Sequence, residues 1–387
     1  MSANKKISRK KFISKALIMT GGFCAAGILG KSLLSAGDAW AAKRYNKELP
    51  SPAFEARYYV SLGDKRIRCE LCPRNCTVAD LERGFCGDRE NRDGTYYSLV
   101  YGRVSTMHND PVEKKPFFHF LPGTEAFSLA TAGCNFRCKF CQNWQIAQAR
   151  PEELESVDAS PADIVKYAKS YNSASIAFTY NEPTVFNEYV YDISALAKQN
   201  GIHPIVISNG YIEKKPLTAL CGVISAMKID LKAYNEKYYR EVCSGHLKPV
   251  LNSISTLAEK GVWREIVYLV VTGLNDNEKE IREMSAWLIK NSGPLTPLHF
   301  SRFYPNYKLE NLPPTPVAIL ERCRQAAMAE GLKYVYIGNV NGHEGENTSC
   351  HNCGKVIIRR VGFKIVKYYI EKGKCSFCKT KIPGVFA

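Results

Sequence analysis

The chain has 387 residues, 45% hydrophobic and 23% charged, with 27 Gly, 19 Pro and 15 Cys. That composition is globular and excludes a disordered or collagen-like chain. Past residue 45 no apolar run approaches the roughly 20 residues that span a bilayer, which excludes a polytopic membrane protein. The net charge is +16, and residues 1–41 supply +6 of it, from seven Lys and Arg against Asp38. The remaining basic residues are scattered, with no run that would mark a nucleic-acid site, so no nucleic-acid partner is expected. An odd number of cysteines in a chain of this length also argues against a disulfide scaffold.

At the N-terminus, the basic stretch Ser8-Arg9-Lys10-Lys11 precedes an apolar run from Ala16 to Gly30 and the small-residue site Ala39-Trp40-Ala41. This is the layout of an export signal. Lys10 stands where a twin-arginine signal has its second arginine. Residues 1–42 are read as a Tat-like export signal or an uncleaved anchor that contacts or crosses the membrane. The protein is expected to be exported or membrane-tethered, with a cytoplasmic location as the alternative.

Residues 55–120 form a Cys-rich segment. Cys69, Cys72, Cys76 and Cys86 lie within 18 residues of one another, with Pro73 and Gly84 between them. Such crowding predicts a loop-rich knot around a metal, and the spacing leaves zinc and a second iron–sulfur cluster both open.

From 121 to 340 short apolar strands alternate with helical stretches. Strands are predicted over 127–132, 175–180, 204–208, 223–231, 265–272, 298–303 and 334–338, the last closing or flanking the barrel. Helices are predicted over 161–170, 184–199, 249–260, 277–290 and 315–330. The alternation predicts an α/β fold with parallel strands, a partial (β/α)6 barrel. Cys134, Cys138 and Cys141 follow its first strand. Three thiolates hold three corners of a [4Fe–4S] cube and leave one iron open for a ligand. Polar groups recur at later strand ends: Asn181-Glu182-Pro183, Ser208-Asn209, Asp230 with Lys232, Asn275, and His299 with Arg302. On a parallel barrel these converge on one mouth. His299 and Arg302 are read as surface ion-pair or strand-end contacts, with a part in handling substrate as the alternative. Cys221, Cys243 and Cys323 lie singly and are read as core thiols.

Residues 345–387 carry Cys350-x2-Cys353 and Cys375-x2-Cys378 on either side of an alternating segment. This predicts a zinc-ribbon-like hairpin around an S4 site, with rubredoxin-like iron as the alternative.

The CxxxCxxC loop, with Phe140 before its third cysteine, resembles the signature of the radical S-adenosylmethionine (SAM) superfamily. Within it the chain is similar to activating enzymes of glycyl-radical enzymes such as pyruvate formate-lyase. It is closer still to the radical SAM member of the AmmeMemoRadiSam system, through CELCPRNC, CQNWQIAQ, TYNEPT, HFSRFYPNYKL and the terminal CxxC pair. The resemblance covers residues 55–387.

It implies that Cys134, Cys138 and Cys141 hold a [4Fe–4S] cluster whose fourth iron binds SAM. Asn181, Glu182 and Pro183 would face its methionine amino group, although the family's double glycine is absent. Ser208 and Asn209 would meet the ribose or carboxylate, Asp230 and Lys232 would orient SAM or substrate, and Phe140 would flank the adenine. A low-potential electron donor is implied, as are Memo-type and other proteins of the system as partners. The expected function is reductive cleavage of SAM to a 5′-deoxyadenosyl radical that abstracts hydrogen from a small molecule or peptide. The alternatives are a glycyl-radical enzyme activase and a non-enzymatic metal-ribbon binding module.

Overall fold

In a computed structural model the structure describes residues 54–386; the signal or anchor expected over 1–42 lies outside them. At its centre is an eight-stranded sheet whose strands lie side by side in chain order. These are β1 (Thr106–Pro111), β2 (Glu125–Ala130), β3 (Ser175–Phe178), β4 (His203–Ser208), β5 (Ala226–Asp230), β6 (Trp263–Val270), β7 (Leu298–Arg302) and β8 (Val335–Gly338). Strands β2 to β8 are parallel and β1 pairs antiparallel to β2. Helices α1 (Pro161–Ser170), α2 (Asn187–Gln199), α3 (Lys214–Cys221), α4 (Leu247–Glu259), α5 (Glu278–Ser292) and α6 (Val317–Ala329) fill the crossovers between successive parallel strands.

Six βα units and a seventh parallel strand therefore form the predicted partial barrel. Two elements were not expected. Strand β1 contains His108, Asn109 and Asp110 and lacks an apolar run, and α3 carries Pro216, which is tolerated because it lies in the first turn. Helix α1 starts where its signals place it. Ser160 Oγ accepts from the Asp163 amide at 3.2 Å while Asp163 accepts from the Ser160 amide at 2.9 Å, a capping box.

Apolar side chains close the floor of the barrel: Val112, Phe117, Phe120 and Leu121 pack with Ala126, Ala177, Ile205 and Ala226. Glu265, in the first half of β6, fixes this floor. Its carboxylate accepts from the Phe118 and His119 amides at 3.0 and 2.8 Å and is paired with His299 Nε2 at 2.7 Å. His299 is the second residue of its strand, so it sits at the floor and not at the mouth with the other polar residues. The sequence pattern groups His299 with the strand ends, but its position at the start of β7, buried against Glu265, removes it from the mouth. Arg302 does end β7, with Nε donating to the Thr315 carbonyl at 2.7 Å.

The Cys-rich segment forms two small antiparallel sheets, one from Tyr59–Gly63, Arg66–Cys69 and Thr77–Val78, the other from Phe54–Glu55, Thr95–Ser98 and Arg89–Arg92. A fully buried ion pair fastens it to the barrel: the Arg89 guanidinium meets the Glu188 carboxylate on α2 and donates through Nε to the Val185 carbonyl. Burial opposes ionisation of Glu188, but the adjacent guanidinium outweighs it and holds the carboxyl below its ordinary range. The C-terminal ribbon pairs Val356–Val361 with Lys364–Tyr368, as the alternating segment predicts, and adds Thr348–Ser349 at one edge. Buried Arg360 joins it to the floor through the Phe118 carbonyl at 2.9 Å and Glu113 at 3.7 Å. No helix among the described residues is long and apolar enough to cross a membrane.

Removing one partner of a buried pair strands the other charge. Arg89→Ala is expected to lower the unfolding free energy by about 3–5 kcal/mol, measured by denaturant titration. The double change R89M/E188L should cost clearly less than R89A alone, since it leaves no unpaired charge. Equal costs for the two would contradict this account of the docking.

Candidate active site

The C-terminal ends of the parallel strands lie on one edge of the sheet, and the loop after β2 carries the three thiols. Regular structure is almost absent from residues 131–143, so hydrogen bonds to its backbone set its shape. Asn181, past the end of β3, braces the start of the loop. Its Nδ2 donates to the Ala132 and Gly133 carbonyls at 2.8 and 3.0 Å and to Thr131 Oγ1 at 3.2 Å, and its Oδ1 accepts from the Thr131 amide at 3.4 Å. Gly133 has φ +82°, and a Cβ there would overlap the Asp88 carboxylate. The residue before the first cysteine must therefore be glycine for two separate reasons. Farther along, the Arg137 and Lys139 amides donate to the Cys243 and Val242 carbonyls at 3.0 and 2.9 Å. Those acceptors belong to a π-helical turn, Tyr239–Cys243, which ends at Ser244 in the left-handed region. π-turns of this kind frequently mark functional sites.

Cys134, Cys138 and Cys141 carry free thiols. Burial pushes the Cys134 thiol well above its ordinary value and the Cys141 thiol up to about 11. A hydrogen bond with Cys243, together with burial, does the same to Cys138. The Lys232 ammonium acts in the opposite sense on Cys138 and Cys141, favouring their thiolates. The thiols thus stay protonated until a metal displaces the protons, and one fixed cation is placed to stabilise the product. Cys134 Sγ also accepts from the Phe136 amide at 3.3 Å and lies 4.0 Å from Asn209 Nδ2. Among the described residues these thiols are not drawn close enough to share a single ion, unlike those of the C-terminal ribbon. Three free thiols, more widely spaced and donating from one loop, fit a cluster with one uncommitted iron.

The other predicted residues surround this loop in distinct ways. Glu182 is fully enclosed. Its Oε1 accepts from the Thr184 amide and hydroxyl at 3.0 and 2.7 Å and from Ser208 Oγ at 2.6 Å, and its Oε2 accepts from the Asn209 amide at 2.8 Å. Burial raises its pKa, and these donors work against the rise. Glu182 and Ser208 therefore tie the end of β3 to that of β4, and Asn181 braces the thiol loop. Pro183 opens a buried 3-10 turn over Pro183–Phe186. Asn209 connects the two groups, its Nδ2 donating to Asn135 Oδ1 at 2.8 Å.

At the end of β5, Asp230 lies between two ammonium groups, Lys228 and Lys232, the latter at 2.9 Å. Burial raises its pKa, but the two cations outweigh that and hold the carboxyl down at about 2. Lys228 and Lys232 thus share one carboxylate at this strand end, and Glu182 also acts on Lys228. The Lys232 Nζ also stands 5.8 Å from the centroid of the buried Phe140 ring. Asn275 fixes this strand end from the neighbouring turn, donating to the Lys232 carbonyl at 2.8 Å.

Two participants were not legible as such in the sequence. Lys228 reads as an interior strand residue, and a charged residue within an apolar strand was its one signal. Cys243 reads as a core thiol; it is fully buried, but against Cys138, and no local pattern indicated that.

The remaining cysteines form two further groups. Cys350, Cys353, Cys375 and Cys378 bring their sulfurs within 4.8 Å of one another and can hold one metal ion. Cys69, Cys72, Cys76 and Cys86 line a single small cavity in the knot.

If Asn181 fixes the thiol loop, Asn181→Leu leaves the Thr131 amide and the Ala132 and Gly133 carbonyls without partners, at about 1–3 kcal/mol for each buried group. Anaerobically reconstituted protein should then hold less iron and lose it faster to a chelator. Iron content and release rate equal to those of the parent would contradict the assignment.

Comparison with known proteins agrees with this site. The model of the Radical SAM superfamily matches residues 128–288, from β2 through the thiol loop to α5. Uncharacterized protein MJ0808 of Methanocaldococcus jannaschii is 48% identical over 333 residues, 86% of this chain and 99% of that one. The putative glycyl-radical enzyme activating enzyme MJ1632 of the same organism is 30% identical over 136 residues, 35% of this chain and 51% of that one. Pyruvate formate-lyase 1-activating enzyme of Escherichia coli K12 is 22% identical over 252 residues, 61% of this chain and 99% of that one. The chain belongs to the radical SAM superfamily and is related to the pyruvate formate-lyase activating enzymes.

Proposed function

We propose that the protein is a radical SAM enzyme that abstracts hydrogen from a small molecule or peptide, as the radical SAM component of an AmmeMemoRadiSam-type system. The observation that carries this reading is the set of three free thiols, Cys138 buried and Cys134 and Cys141 half-buried, on a braced loop at the strand ends, beside a cation that favours the ionised form of Cys138 and Cys141. A [4Fe–4S] cluster on Cys134, Cys138 and Cys141 supplies an open iron for SAM and the electron that splits it into methionine and a 5′-deoxyadenosyl radical.

The chain's own residues bind, orient and exclude water. Asn181 fixes the loop backbone. Glu182, already committed to Thr184, Ser208 and Asn209, keeps two strand ends in register. Asp230 holds Lys228 and Lys232 in place, and Lys232, the cation beside the thiols, is placed to meet a carboxylate. Buried Phe140 offers an aromatic face for adenine. The apolar floor and the Glu265–His299 contact close the other end of the barrel, so a substrate has access from the mouth.

A second reading, an activase that installs a glycyl radical on another enzyme, is supported by the names of two relatives, MJ1632 and the E. coli enzyme. For the C-terminal four-thiol site we infer zinc. Its Sγ–Sγ distances of 3.6 Å (Cys350–Cys378) and 3.9 Å (Cys353–Cys375) match the roughly 3.8 Å edge of a tetrahedron with Zn–S bonds of about 2.3 Å. The partners we infer are a low-potential electron donor and Memo-type proteins, and the location an exported or membrane-tethered one.

Anaerobic protein reconstituted with iron and sulfide, given dithionite and SAM, should form 5′-deoxyadenosine, and Cys138→Ala should form none. Equal product from parent and variant would refute the reading. A glycyl radical appearing on an added partner enzyme would select the second reading.

A further inference from the structure

The knot's thiols and the thiol loop are joined by more contacts than docking alone requires. Cys69, Cys72, Cys76 and Cys86 line one cavity, and Asn135, Thr184 and Val185 complete its wall. Asn135 is the neighbour of Cys134. Arg74, between Cys72 and Cys76, donates through Nε to the Asn135 carbonyl at 2.7 Å and through its other nitrogen to the Ser244 carbonyl. Arg137, next to Cys138, donates to the Phe85 carbonyl at 2.6 Å, and Phe85 precedes Cys86. Asp88, two residues past Cys86, is buried against Gly133, the residue before Cys134, and its carboxyl oxygens have no hydrogen-bond partner among the described residues. A wall residue of the knot cavity, Asn135, is therefore the direct chain neighbour of a ligand of the radical site.

The knot's thiols are arranged differently from those of the ribbon. Around one tetrahedral metal, sulfurs stand about 3.8 Å apart, as they do in the C-terminal ribbon. Among the described residues the ribbon is the one group of four thiols drawn within 4.8 Å. The knot's four thiols enclose a common cavity without that contraction, as expected for sulfurs bound to separate irons at the corners of a cube. Two guanidiniums, Arg89 and Arg74, lie close enough to the thiols to interact with them electrostatically. Arg89 is already paired with Glu188, so Arg74 is the guanidinium of the two left to offset the negative charge that the thiolates bring.

We propose that Cys69, Cys72, Cys76 and Cys86 hold a second [4Fe–4S] cluster that relays single electrons from an external donor of the flavodoxin or ferredoxin class to the cluster on Cys134, Cys138 and Cys141. The donor is oxidised by one electron and the knot cluster reduced. The knot cluster then returns to its oxidised state as the radical-site cluster is reduced, and SAM cleavage consumes that electron. No other oxidant or reductant enters. The relay rests on the radical SAM reading above; the second cluster by itself does not.

Two variants of the full chain separate the parts. C138A/C141A, which leaves the knot intact, should retain about half of the parent's iron and acid-labile sulfide and show a reduced-cluster EPR signal indifferent to SAM. C72A/C76A should keep the SAM-responsive signal when dithionite is the reductant. With reduced flavodoxin, that signal should form about an order of magnitude more slowly than in the parent. Zinc without sulfide in C138A/C141A would overturn the proposal, and that result does not depend on whether C72A/C76A folds. Flavodoxin reduction of C72A/C76A at the parent's rate would overturn it as well. A parent signal that ignores SAM while the knot holds iron would sink the radical SAM reading and the relay with it, and would leave the second cluster standing.

Discussion

The structure depends on holding an irregular loop still. A helix or strand satisfies its own backbone, whereas residues 131–143 have little regular structure, and their buried amides and carbonyls need partners from elsewhere. Asn181 takes the start of the loop, the π-turn Tyr239–Cys243 takes its middle, and Lys308 donates to the Lys139 carbonyl at 2.8 Å. Each support comes from a different βα unit, so the loop has its shape only once the barrel has closed around it. Metal ligands fixed in this way do not need the metal to organise them, and the same backbone can be held with the iron's fourth ligand free to exchange.

The charge arrangement follows from the same demand. A buried carboxylate is costly unless it is paired or hydrogen-bonded, and the mouth contains two solutions. Glu182 is satisfied by four neutral donors and works as a mechanical tie between strand ends. Asp230 is satisfied by two lysines and works electrostatically, keeping Lys232 beside the thiols without leaving either lysine unpaired. One of those cations, Lys232, is also the group that favours ionised Cys138 and Cys141. The metal-binding function and the strand-end packing therefore share residues, and a substitution at Asp230 would disturb both.

Much of this could be read in the sequence because its signals are local. Cysteine spacing located all three thiol groups, short apolar runs alternating with helical stretches located the seven parallel strands, and the stretch opening at Pro161 located α1. What could not be read depends on contacts between distant segments. Strand β1 is polar and exists because β2 offers it an edge. Helix α3 begins with a proline two residues in. His299 looked like a mouth residue until pairing with β6 and β8 placed it beside Glu265, and Cys243 looked like core filling until the π-turn brought it to Cys138. The hydrogen bonds that tie Asn181 and Glu182 to the protein's own backbone and hydroxyls were equally illegible, because their partners lie on the thiol loop and the end of β4.

The central claim is that an iron bound by the thiol loop keeps a coordination position for SAM. It is tested most directly by electron-nuclear double resonance on the reduced C72A/C76A protein, which lacks the knot cluster, with SAM labelled with nitrogen-15 in its amino group and oxygen-17 in its carboxylate. Direct coordination predicts resolved hyperfine coupling from both labels. A reduced cluster that binds SAM and shows coupling from neither would contradict the account.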